Sequence, residues 1–173
     1  MGYKDVYANW QADPEGFWMQ AAEAIDWDKK PTSALGGEAP FYTWFEDGEA
    51  NTCWNCVDRH VEAGRGDQAA FSYDSPVTGA KRTISYSELK DEVSVVAGAL
   101  ARRGVTKGDR VIIYMPMIPE ACISMLACAR IGAIHSVVFG GFASNELAVR
   151  LDDAKPKAIL SASCGIEPGR VVE

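Results

Sequence analysis

The strongest constraint on this chain is an alternation of apolar runs and helical periods between residues 110 and 162. Arg110 to Met115 reads as a strand closed by Pro116, and Pro119 opens a helix that runs to Arg130 or Ile131 before Gly132 ends it. Ile134 to Phe139 is apolar enough to be a strand buried on both faces. Ser144 is placed to cap a helix to about Ala154, Lys155-Pro156 breaks it, and Ala158 to Ala162 is a further short strand. Such alternation implies an α/β fold with a parallel βαβαβ sheet part, right-handed crossovers and helices on the sheet faces. Strand order is open at this level.

Upstream, Ser85-Tyr86-Ser87-Glu88 forms a capping box in which Ser85 and Glu88 satisfy each other's backbone donors. Leu89, Val93, Val96, Ala97 and Leu100 follow as one apolar stripe, and Gly104 stands where a helix terminates. Ala69 to Tyr73 and Arg82 to Ser85 read as short strands, and Asn55 to Ala63 as a helix stopped by Gly64. Asp13 is an N-cap with Pro14 at the first helical position, and Phe17, Trp18, Ala21, Ala24 and Ile25 recur at helical spacing. Lys29 to Ala50 has no firm period and reads as an irregular aromatic stretch lying over a larger body. The sequence stops at Val171-Val172-Glu173 with an element just beginning, so it reads as a piece of a larger domain.

Lys plus Arg total 17 against 24 for Asp plus Glu, a net charge of −7, which argues against nucleic-acid binding. No stretch of about 18 apolar residues is present to span a membrane. Neither a secretion signal nor an Arg-rich transit segment is visible at the start. Five cysteines, an odd and scattered count, fit free thiols in a reducing cytoplasm.

Cys53, Cys56 and His60 supply three potential metal ligands without a fourth, so they read as two small half-buried thiols at a helix start. Asp58-Arg59-His60 point in different directions on a helix, and Asp58 suits an internal ion pair or cap. Phe139-Gly140-Gly141-Phe142-Ala143-Ser144 joins a strand to a helix at the carboxyl end of a parallel strand, where open α/β sheets hold ligands. It serves either close approach to a ligand or merely a tight turn. Gly165 to Arg170 reads as a loop whose Arg170 either meets a phosphate or only solvent.

The runs Tyr114-Met115-Pro116-Met117-Ile118-Pro119-Glu120-Ala121 and Leu126 through Phe142 resemble short-chain acyl-CoA synthetases, the acetyl- and propionyl-CoA synthetases of the adenylate-forming superfamily. Asp13-Pro14-Glu15-Gly16-Phe17-Trp18 resembles the start of their N-terminal extension, and Asn55-Cys56-Val57-Asp58-Arg59-His60 also matches. The closing run from Ala162 to Glu173 looks more like propionate–CoA ligases. The resemblance implies an extension over residues 1–64 and, over 65–173, the incomplete opening of an adenylate-forming domain. It implies a two-step reaction. A short carboxylate attacks ATP, giving an acyl-adenylate and pyrophosphate, and CoA then displaces AMP. ATP, CoA and Mg²⁺ are the implied cofactors, with the ATP and Mg²⁺ sites outside this chain, so the piece alone is expected to be inactive. Its expected partners are those small molecules, the rest of its own N-terminal domain and a C-terminal domain, with no nucleic acid and no membrane.

Phe139, Gly140 and Gly141 match the turn beside the CoA adenine, and Gly169 and Arg170 belong to the closing loop near the CoA phosphates. Arg170 matches the second of two family arginines, while the first falls at Glu167, a charge reversal that leaves Arg170 to act alone or requires Glu167 to turn away. An acetate–CoA ligase and a non-enzymatic nucleotide-binding module are the alternatives.

Overall fold

The structure is a computed structural model that describes residues 2–141 and 144–172. Two compact units divide between Asn51 and Thr52.

In the first unit, α1 (Tyr3–Ala12) precedes α2 (Pro14–Ala22). The Asp13 side chain accepts from the Gly16 N–H at 2.9 Å and Pro14 opens the helix, as the capping pattern predicts. α1 was not among the expected elements. It buries none of its residues, and its signal is a row of rings instead: Tyr3 stacks on Tyr7 at 6.0 Å, and Tyr7 meets Trp10 at 5.5 Å with the rings tilted by 35°. The stretch expected to be irregular contains an antiparallel hairpin, β1 (Leu35–Glu38) with β2 (Phe41–Trp44). All of β2 is exposed, so no inward-outward alternation marks it. Beyond it, the Thr32 N–H and hydroxyl donate to Asp47 at 3.0 and 2.9 Å and hold that carboxyl below its usual pKa.

The second unit opens on two π-helical turns, Trp54–Asp58 and Val61–Arg65, where a regular helix was expected. Gly64, the expected stop, has φ +76°. β3 (Ala69–Asp74) and β4 (Lys81–Ser85) form a hairpin with a bulge between Ala69 and Phe71. α3 (Tyr86–Arg102) starts at the expected box: the Ser85 N–H donates to Glu88 at 2.8 Å, and the Glu88 N–H to Ser85 Oγ at 3.2 Å. Its stripe buries Leu89, Val93, Ala97 and Leu100, the larger side chains contributing about 2 kcal/mol each. They join Cys53, Val57, Ile84, Val111, Ile123, Ala127 and Cys128 in one core.

The expected alternation follows as β5 (Arg110–Met115), α4 (Pro119–Arg130), β6 (Ile134–Phe139), α5 (Ser144–Ala154) and β7 (Ala158–Ser161). The three strands are parallel in the order β6-β5-β7. Central β5 buries Val111, Ile112 and Ile113 completely. β6, expected to be buried on both faces, buries only Val138 and leaves Ile134, Val137 and Phe139 exposed. Among the described residues it pairs on one side alone, so its apolar composition outruns the cover it receives here. Ser144 is the first residue of α5 rather than a residue before it; Phe142 and Ala143 lie outside the described residues. The closing loop is a third short hairpin, β8 (Gly165–Glu167) with β9 (Arg170–Val172).

Candidate nucleotide-binding cleft

Parallel strands expose their carboxyl ends on one side of the sheet, and the crevice there is where α/β folds hold ligands. β5 and β6 run in register, with Met115 opposite Phe139. Their ends, together with the hairpin β8–β9, enclose a cleft of about 340 Å³. Tyr114 in β5 and Pro116 just past it line the cleft, with Phe139 at the end of β6, Gly140 and Gly141 after it, and Cys164, Gly165 and Glu167 from the closing segment.

The glycines are needed by two different neighbours. A Cβ on Gly140 would sit 2.9 Å from both Met115 C and Pro116 N, so backbone crosses backbone there. A Cβ on Gly141 would sit 2.6 Å from the Phe139 ring. That ring is 56% exposed, offering a flat apolar face beside small, polar backbone. This combination suits a planar heterocycle.

The structure gathers Phe139, Gly140 and Gly141 in this cleft as wall residues, and it sets Gly169 and Arg170 apart, at the turn of the hairpin whose other residues line it. Gly169 adopts φ +80° in that turn, a conformation that favours glycine. Glu167 does not turn away. It lines the cleft, and its Oε2 accepts from Arg170 Nε at 2.9 Å and Nη2 at 2.7 Å. Tyr114, Cys164 and Val172 also line the cleft and were not singled out from the sequence. Tyr114 lies near the carboxyl end of β5, a position that the sheet rule alone marks.

Away from the cleft, Asp58 forms the expected internal ion pair. It is 6% exposed, accepts from Arg130 Nη2 at 2.7 Å and has Lys90 Nζ at 3.9 Å. The pairing ties the first π-helical turn to α3 and α4, and the buried carboxylate requires it. Cys53 is fully buried and Cys56 exposed rather than both half-buried. Burial pushes the Cys53 thiol up and the Cys128 thiol up to about 11, so both are packing thiols. The His60 ring packs on Tyr86 at 4.7 Å. Among the described residues, no group of three or more His, Cys, Asp or Glu side chains is placed to hold a metal ion.

Residues 57–171 match the family described as AMP-binding enzyme, and residues 3–56 match acetyl-coenzyme A synthetase N-terminus. The chain belongs to the AMP-binding enzyme family. Among its relatives is the mouse (Mus musculus) acyl-CoA synthetase short-chain family member 3, mitochondrial, 58% identical over 172 residues, which are 99% of this chain and 25% of the relative. The Homo sapiens protein of the same name is 55% identical over the same span. The acetyl-coenzyme A synthetase of Streptomyces coelicolor is 52% identical over 167 residues, 96% of this chain and 26% of the relative. The chain thus spans about a quarter of the length of the curated relatives it matches.

Proposed function

We propose that this chain is the opening part of an AMP-forming short-chain acyl-CoA ligase, with propionate as its favoured acid, and that its cleft seats the nucleotide end of CoA. The observation that carries the reading is the convergence of Tyr114, Phe139, Gly140 and Gly141 at the carboxyl ends of β5 and β6, in a chain with short-chain synthetase relatives. Residues 1–64 are the extension and 65–173 the start of the AMP-binding domain. The rest of that domain covers the exposed apolar side chains of β6. ATP, the carboxylate and Mg²⁺ bind beyond these residues, and the C-terminal domain is the further partner. The preference for propionate rests on the closing run from Ala162 to Glu173. A reducing compartment, the cytoplasm, suits the five thiols.

The residues here bind and orient rather than make bonds. Phe139 offers a ring face, Gly140 and Gly141 let backbone approach, and the hairpin closes one wall. ATP–pyrophosphate exchange by the complete protein with propionate, acetate and butyrate tests the activity. Exchange fastest with propionate is expected, and no exchange with any of the three refutes it. Fastest exchange with acetate instead makes the protein an acetate–CoA ligase.

A further inference from the structure

We propose that this cleft takes the nucleoside end of coenzyme A without reading its 3′-phosphate, so that coenzyme A and 3′-dephospho-coenzyme A are accepted alike. The inference rests on the reading of the cleft as a coenzyme A site. The described wall residues include no Lys or Arg and one carboxylate, that of Glu167. The cation of the same hairpin, Arg170, already points Nε and Nη2 at a single oxygen of Glu167. That takes the side-on edge of the guanidinium, and a phosphate approaching the remaining Nη1–Nη2 edge meets a cation whose charge Glu167 already balances.

The pair lies in solvent, with side-chain exposures of 70% for Arg170 and 38% for Glu167, so it opens readily. Opening it does not help a phosphate, because the freed carboxylate stays on the cleft wall. The hairpin tip presents one positive and one negative charge, and a dianion gains no net attraction there. A neutral heterocycle loses nothing by this arrangement. It meets the exposed Phe139 ring and the glycine backbone, neither of which carries a net charge. Glu167 is thus the specificity-determining residue, acting by cancelling Arg170.

Cys164 lines the same cleft and is half-buried, which provides a direct reporter. In the complete ligase, Cys164 is alkylated with iodoacetamide and followed by peptide mass spectrometry. Acetyl-coenzyme A and acetyl-3′-dephospho-coenzyme A, which carry no free thiol, are titrated as protectants. Half-protecting concentrations within about threefold of each other are expected, since less than about 0.7 kcal/mol then separates the two ligands. Glu167→Gln, which removes the negative charge opposing Arg170, should lower the value for the 3′-phosphorylated ligand about fivefold relative to the other. A native preference for the phosphorylated ligand beyond threefold, or no change in Glu167→Gln, overturns the inference while leaving the cleft as the coenzyme site. Absence of protection by either ligand removes the coenzyme reading itself, and the inference with it.

Discussion

Replacing Gly140 by alanine tests how the cleft is built. The added Cβ would lie 2.9 Å from Met115 C and Pro116 N and 3.0 Å from Met115 O. An ordinary carbon contact is about 3.5 Å, and all three obstacles are backbone, so no side chain can rotate out of the way. The ends of β5 and β6 must part by roughly half an ångström. Forcing a close-packed site apart in this way costs about 1–3 kcal/mol, or roughly 5- to 150-fold faster hydrogen exchange at the local amides. The assay is exchange at residues 113–115 and 137–139 of the purified protein. Binding should suffer too: misplacing a wall by half an ångström weakens coenzyme A binding by about tenfold. Gly169→Ala is the control. Among the described residues, no atom beyond its chain neighbours lies within 4 Å of its Cβ, and φ there is +80°, so it strains the hairpin turn by about 1 kcal/mol without touching β5 or β6. Unchanged exchange at the β5 and β6 ends in Gly140→Ala, or equal loosening there in Gly169→Ala, would refute the reasoning.

Other changes separate buried from exposed interactions. Asp58→Asn should cost about 3 kcal/mol by urea denaturation, because the neutral amide faces Arg130 in a largely buried setting. Breaking the exposed Arg82–Glu92 pair with Glu92→Ala should cost less than about 1 kcal/mol in the same assay. Ser85→Ala should cost about 1 kcal/mol through loss of the α3 cap. The Ser85 N–H holds the Glu88 carboxyl below its ordinary value of 4.5. Its contribution is therefore complete above that value and is lost as pH falls through the lower folded pKa. Acid titration of α3 exchange should show a shallower decline in Glu88→Gln, and an unchanged decline would count against the cap. Cys56 should alkylate readily at pH 8 while Cys128, with its thiol up at about 11, stays unmodified in the folded protein.

The parts of the fold that depend on local chemistry could be read from the residues. Pro119 and Gly132 bracket α4, Ser85 and Glu88 start α3, and Asp13 with Pro14 starts α2, because caps and breakers act within a few residues. The parts that were not legible lack a two-sided environment. The strand Phe41–Trp44 is exposed throughout, so nothing in its pattern separates it from a loop. α1 buries nothing, and only the spacing of Tyr3, Tyr7 and Trp10 could have disclosed it. The hairpin at Gly165–Val172 was concealed by reading Pro168-Gly169 as loop punctuation, although that pair between Glu167 and Arg170 is also a turn signal. For the cleft, the glycine bend after Phe139 was visible as a strand-to-helix joint and the place of Tyr114 follows from the sheet rule, whereas Cys164 enters through chain return, which no short stretch encodes. The pairing of Glu167 with Arg170 required the hairpin itself.

A crystal structure of the complete protein with coenzyme A tests the proposed cleft most directly. The adenine ring is expected within about 4 Å of Phe139 and Gly140, with the Glu167–Arg170 pair beside it. Coenzyme A bound elsewhere, with this cleft filled by the protein's own side chains, would contradict the proposal.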